Sequence, residues 1–138
     1  MDGLEELFSL YPSAEWEKPF AVYKRASVGL GGYVDCAVFP HTETDLAGIV
    51  KNAEEKGIPY IVVGNMTNVL PPDGRKNALL ILTEKVNGVF RAEKGGEIYA
   101  QAGVSGNAFL SVCEKEGLTG AEFLEGIPCS IGGATYMN

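Results

Sequence analysis

The sequence predicts an α+β fold, a small βαβ lobe followed by a mainly antiparallel β lobe with helices. Residues 33–63 read as extended, then helical, then extended, the order of a parallel βαβ unit. Pro71 to Asn77 follows as a polar, proline-containing connector. Beyond it the apolar period changes to that of strands, punctuated by Asn87-Gly88 and Gly95-Gly96. These observations divide the chain into a first lobe over 1–70, a connector over 71–77 and a second lobe over 78–138.

Taken in order, Asp2 to Leu10 forms a short amphipathic helix, with Leu4, Leu7, Phe8 and Tyr11 at helical spacing and Pro12 as its stop. A polar stretch carrying Trp16 and Pro19 comes next. Phe20 to Arg25 and Tyr33 to Phe39 read as extended. Thr42 to Lys56 is the clearest helix. Leu46, Ile49, Val50 and Ala53 make its apolar stripe, Thr42 and Asp45 cap its start, and Gly57 ends it. Pro59 leads into Tyr60-Ile61-Val62-Val63, which delivers the chain into Gly64-Asn65-Met66-Thr67-Asn68. Leu79 to Leu82, Gly88 to Ala92 and Glu97 to Ala102 read as antiparallel strands. A helix over Gly106 to Glu116 follows, closed by Gly117.

Composition narrows the function classes. The chain has 138 residues, 46% hydrophobic and 21% charged, an ordinary globular balance. A formal net charge of -7 argues against a nucleic-acid partner. It leaves room for one phosphorylated ligand held by backbone amides. Cys36, Cys113 and Cys129 are too widely spaced to hold a metal and read as reduced core thiols of a cytoplasmic protein. No secretion signal is legible, and no run approaches the ~18 consecutive apolar residues of a membrane span. His41, the only histidine, reads as structural or solvent-facing.

Glycine-rich turns carry the functional signal. Gly29-Leu30-Gly31-Gly32-Tyr33-Val34 fails as a dinucleotide fingerprint, because Val34 stands where a glycine is needed and no helix follows. Gly64 to Leu70 lacks the Gly-Lys-Ser/Thr ending of a P-loop. It still ends a strand and can aim N–H groups at a pyrophosphate. Read alone, it is equally a tight turn closed by its own asparagines. Gly126 to Gly133 is stiffened by Pro128 and stripped of side chains at Gly132-Gly133. Such turns, each after an extended or apolar segment, suit a long ligand held by backbone between two lobes.

One family resembles this order of motifs: Ser27-Val28-Gly29-Leu30-Gly31-Gly32, Val63 to Leu70, Ala102-Gly103-Val104-Ser105, Gly117 to Pro128, and Gly132-Gly133-Ala134-Thr135-Tyr136-Met137-Asn138. It is the bacterial UDP-N-acetylenolpyruvoylglucosamine reductase (UDP-N-acetylmuramate dehydrogenase, MurB) family. The resemblance implies a PCMH-type FAD-binding domain with the flavin nucleotide between two lobes. It implies an oxidoreductase in which NADPH reduces FAD, which reduces the enolpyruvyl group of a UDP-sugar for peptidoglycan. By position, it places Gly64, Asn65, Thr67 and Asn68 at the FAD pyrophosphate. Gly126, Ile127, Pro128, Ser130, Gly132 and Gly133 fall on the flavin side, with Gly31, Gly103 and Ser105 as further candidates.

Met66 and Cys129 stand where the family usually has glycine. If position 66 needs positive φ, methionine there costs about 1 kcal/mol or more. The family's proton-donating serine, active-site arginine and glutamate, and substrate-binding domain lie beyond the position of Asn138. The resemblance therefore implies an incomplete second lobe, no assignable catalytic residue, an inactive isolated chain, and self-association through an unpaired edge. A non-catalytic flavin or nucleotide-binding module, and another oxidoreductase of the same flavin superfamily, remain open alternatives.

Overall fold

The computed structural model describes residues 2–91 and 96–137. Its main sheet is built from β1 (Glu15–Glu17), β2 (Phe20–Ala21), β3 (Tyr33–Phe39), β4 (Tyr60–Val63) and β5 (Arg75–Leu82). The strand order is β1-β3-β5-β4, with β2 also paired to β3. β3 and β4 both run parallel to β5, while β1 and β2 are antiparallel to β3.

The strand at Leu79–Leu82 therefore differs from expectation. It does not open an antiparallel second lobe but fills the centre of the first sheet, aligned Cys36↔Leu79 and Tyr60↔Leu79. The physical reason is burial on both faces. Leu79 and Ile81 pack on one side and Leu80 and Leu82 on the other, as a continuous apolar run requires.

Two helices cover one face. α1 (Asp2–Leu10) and α2 (Glu43–Glu55) bury Leu4, Leu7, Ile49 and Ala53 against Cys36, Val38, Leu79 and Ile81. α2 starts where Thr42 predicts, its hydroxyl accepting from the Asp45 amide at 3.0 Å. Among the described residues, no α-helix contributes to the core cluster on the opposite face. Phe20, Val22, Ala26, Val63 and Met66 cover Val34, Ala37, Phe39, Leu80 and Leu82 there. A register shift opposite Val34–Cys36 places one extra residue in β5, between Lys76 and Leu79, and Val34 clusters with Ala37 and Phe39.

Two local expectations change as well. Only Phe20–Ala21 of the segment expected to be extended is strand, and Val22–Lys24 turns as a 3-10 helix. Glu15–Glu17, read as a polar stretch, is a strand on β3, aligned Trp16↔Val38. β6 (Val89–Arg91) and β7 (Ile98–Ala100) form the expected antiparallel pair, aligned Phe90↔Tyr99. Part of the turn expected between them, including Gly95, lies outside the described residues, as does Ala92. α3 (Gly106–Lys115) follows, and α4 (Ile131–Met137) ends the described chain.

Cys36 and Cys113 are buried, as expected of core thiols, and Cys129 is half-buried. Burial pushes the Cys36 thiol up to about 11. No described helix is long and apolar enough to cross a membrane.

Candidate functional site

Beyond the carboxyl ends of β4 and β5, several turns are locked together. β5 runs into a 3-10 turn, Thr83–Lys85, and the Thr83 hydroxyl donates to the Val63 carbonyl at the end of β4. The Gly103 amide donates to the Val86 carbonyl at 2.8 Å. Segments 102–106 and 129–132 then zip together. Ile131 N–H donates to Val104 O at 2.8 Å, Gly132 N–H to Ala102 O at 2.9 Å, and Gly106 N–H to Cys129 O at 3.0 Å. The turn after β4 abuts this assembly, since a Cβ on Gly64 would strike the Ser130 hydroxyl.

The sequence-derived candidates thus converge, although in different roles. Gly64, Gly103 and Gly132 are glycines because neighbouring turns leave no room for a side chain. A Cβ on Gly132 would lie 2.7 Å from that of Ala102. Ser105 caps α3, its hydroxyl accepting from the Ala108 amide at 3.2 Å. Ser130 is buried and accepts from the Gly133 amide at 3.2 Å. Gly132 and Gly133 lie in the first turn of α4 and not in an open loop, which corrects the reading of Gly126–Gly133 as one turn. Gly126, Ile127 and Pro128 lie on the exposed rim before this helix, with Gly126 at φ 76°. Gly31 packs on Pro71, a structural role.

The segment 64–68 is different. Asn65, Thr67 and Asn68 are exposed. Among the described residues, no acceptor meets their backbone N–H groups and no partner meets their side chains. The asparagines do not close the turn upon themselves. Met66 fixes it instead. Its side chain is 3% exposed in the core, and its carbonyl accepts from Ser27 N–H at 3.3 Å. The Ser27 hydroxyl adds a bond to the Thr67 carbonyl at 3.4 Å. Met66 has φ 53°, the left-handed region, where glycine would sit without strain.

A cleft of about 110 Å³ opens beside this turn, lined by Arg25, Gly64, Asn65, Met66, Leu82 and Glu84. It is far below the ~300–1,000 Å³ that encloses a drug-sized ligand, so it can receive only a small part of one. Arg25 and Glu84 are residues that sequence reasoning missed, because neither belongs to a motif and their pairing spans 59 positions. A larger hollow, about 530 Å³, lies between α3 and residues 118–125, lined by Asn107, Leu110, Glu114, Glu122 and Glu125 among others. It contains none of the sequence-derived candidates.

Unpartnered amides on a turn at the carboxyl ends of parallel strands are donors available to an anion. The residues present therefore fit the diphosphate of a dinucleotide such as FAD. They do not form a metal centre, for no cluster of three or more His, Cys, Asp or Glu occurs among the described residues. His41 pairs with Glu15 at 3.1 Å, and the Lys85 ammonium, 3.4 Å from Glu15, holds that carboxyl below its usual value.

Comparison with known proteins agrees with this geometry. Residues 34–138 match the FAD binding domain family. The UDP-N-acetylenolpyruvoylglucosamine reductase of Streptococcus pneumoniae is 37% identical over 123 residues, 89% of this chain and 40% of that protein. The Streptococcus thermophilus enzyme is 38% identical over 89% of this chain and 39% of its own length. The crystal structure of the same reductase (MurB) from Thermus caldophilus superposes with a TM-score of 0.66 at 25% identity, covering 88% of this chain and 41% of that one. A cholesterol oxidase from Brevibacterium sterolicum shares the fold, with a TM-score of 0.65 at 19% identity over 89% of this chain and 24% of its own. The chain spans about 40% of the length of the curated relatives it matches. It has the PCMH-type FAD-binding fold, and FAD is the cofactor of the family it matches. The chain belongs to the FAD binding domain family, and along most of its length it is similar to UDP-N-acetylenolpyruvoylglucosamine reductases.

Proposed function

We propose that this chain is the FAD-holding part of a cytoplasmic UDP-N-acetylenolpyruvoylglucosamine reductase acting in peptidoglycan synthesis. The observation that carries the reading is the turn 64–68. Its amides at Asn65, Thr67 and Asn68 are exposed and have no acceptor among the described residues. Similarity to reductases of that name supports the substrate class.

On this reading, the turn 64–68 holds the diphosphate of FAD through backbone N–H groups, with the Asn65, Thr67 and Asn68 side chains adding donors. Residues 126–133 line the flavin side, where the Ser105↔Ser130 bridge holds the start of α4 in place. FAD held there would supply the redox chemistry, hydride transfer between NADPH and the enolpyruvyl group of the UDP-sugar. The other requirement is a proton donor at the enolpyruvyl carbon. No described residue is placed for it, so binding and turnover separate in this chain.

The test is to titrate the purified 138-residue chain with FAD, desalt it, and assay it with NADPH and UDP-N-acetylglucosamine enolpyruvate. Retained, equimolar FAD without turnover is the expected result. No FAD uptake at high micromolar concentration would sink the reading, and turnover by the chain alone would refute the separation.

A further inference from the structure

Beside the turn 64–68, the cleft-lining residues include one cation and one anion. Arg25 Nη1 donates to Glu84 Oε2 at 3.2 Å. The Arg25 guanidinium carbon also lies 5.4 Å from the centroid of the Phe39 ring, at the carboxyl end of β3. Its backbone is fixed too, because Arg25 N–H donates to Val22 O at 3.0 Å. The guanidinium is thus held at the mouth of the cleft by an aromatic face and a carboxylate.

We propose that Arg25 is a further binding residue, engaging the diphosphate held by the turn 64–68, and that Glu84 is its resting counter-ion. This rests on the reading of that turn as the FAD site. The Arg25 and Glu84 side chains are 46% and 26% exposed, and a pair so wetted is weakly bound. Exchanging it for a phosphate oxygen therefore costs little. A guanidinium has five N–H donors, and only one bond to Glu84 is formed, so the rest can face a ligand without releasing it. The Phe39 ring orients the guanidinium by a cation–π contact and keeps it at the cleft in either state.

Glu84 has the opposite effect on an anion. Its carboxylate lines the same cleft, competes for Arg25 and repels phosphate. The pair therefore makes opposed predictions for its two members, which a purely structural brace does not. The larger hollow by α3 is no competitor for this ligand. It is lined by Glu114, Glu122 and Glu125 and by no lysine or arginine.

The experiment is titration of the whole chain with FAD, followed by flavin fluorescence, for wild type, Arg25→Gln, Arg25→Lys and Glu84→Gln. Inorganic pyrophosphate is the competitor. Arg25→Gln is expected to weaken FAD binding roughly tenfold, the scale of one charge-assisted hydrogen bond. Arg25→Lys should recover part of that loss, and Glu84→Gln should tighten binding about threefold. Pyrophosphate should compete less well against Arg25→Gln than against wild type. Should Arg25→Gln not fold, the opposite shifts of Arg25→Lys and Glu84→Gln carry the test. Equal weakening by both Gln variants means a structural brace only, and affinities within twofold of wild type mean no role; either result overturns the assignment. Loss of the Arg25 effect while wild type still binds FAD defeats this inference alone. Wild type that binds no FAD defeats the reading of the turn and this inference with it.

Discussion

Gly103→Ala is expected to destabilise the protein by about 3 kcal/mol or more and to abolish FAD binding. The added Cβ would fall inside the contact distance of the Thr83 carbonyl oxygen and 2.7 Å from that of Val86. Both neighbours are backbone, so no rotamer change relieves the clash. The 83–86 and 102–104 segments must separate, breaking the Gly103 N–H bond to Val86 and loosening the anchors of Ile131 and Gly132. Urea melts compared with Gly29→Ala make the check. A Cβ at Gly29 meets nothing within 4 Å, and only its φ of 66° resists, a penalty of about 1 kcal/mol. A Gly103→Ala melt as mild as that of Gly29→Ala would contradict the packing account.

Met66 sets two effects against each other. Its side chain plugs the core with Val63, Leu80 and Leu82, while its φ of 53° is unfavourable for any residue but glycine. Met66→Ala keeps the strain and loses the plug, and is expected to cost about 2–5 kcal/mol. Met66→Gly loses slightly more volume but recovers about 1 kcal/mol from the backbone. The glycine variant is therefore expected to be at least as stable as the alanine variant. That reverses the order found at ordinary positions, where glycine is the worse by 0.5–1 kcal/mol, roughly. Chemical denaturation of both variants decides it, and a glycine variant clearly less stable than the alanine variant would remove the strain from the account. Methionine at position 66 exchanges backbone ease for core packing.

Much of the fold was legible in local signals. Thr42 and Gly57 bound α2, Gly117 closes α3, and the strand pattern around Asn87-Gly88 marks the β6–β7 pair. What failed was partner choice. The run Leu79–Leu82 reads as a buried strand, but no residue in it states that it lies between β3 and β4. That placement is set by pairing with Cys36 and Tyr60, which lie 43 and 19 positions before Leu79 in the sequence. Glu15–Glu17 was missed because three residues cannot display a period. Gly132-Gly133 reads as loop because glycine is a poor helix former, and tertiary bonds from the Ile131 and Gly132 amides to the Val104 and Ala102 carbonyls override that propensity.

The candidate site shows the same division. The glycine motifs identified the turns that converge, but not why each glycine is there. Gly64, Gly103 and Gly132 are explained by close packing between turns. A turn able to aim N–H groups at a pyrophosphate was legible in the sequence, and the lack of acceptors for the Asn65, Thr67 and Asn68 amides among the described residues appears only in three dimensions. Arg25 and Glu84 carried no local signal, since their proximity is created by β5 returning beside β3.

The central claim is that the backbone of the turn 64–68 holds the diphosphate of FAD. Residue-level amide hydrogen exchange on the chain, with and without saturating FAD, tests it most directly. The account predicts that the Asn65, Thr67 and Asn68 amides exchange freely without ligand and become protected with it, together with the start of α4. Protection confined to α3 and residues 118–125, with the Asn65, Thr67 and Asn68 amides still exchanging freely, would contradict it.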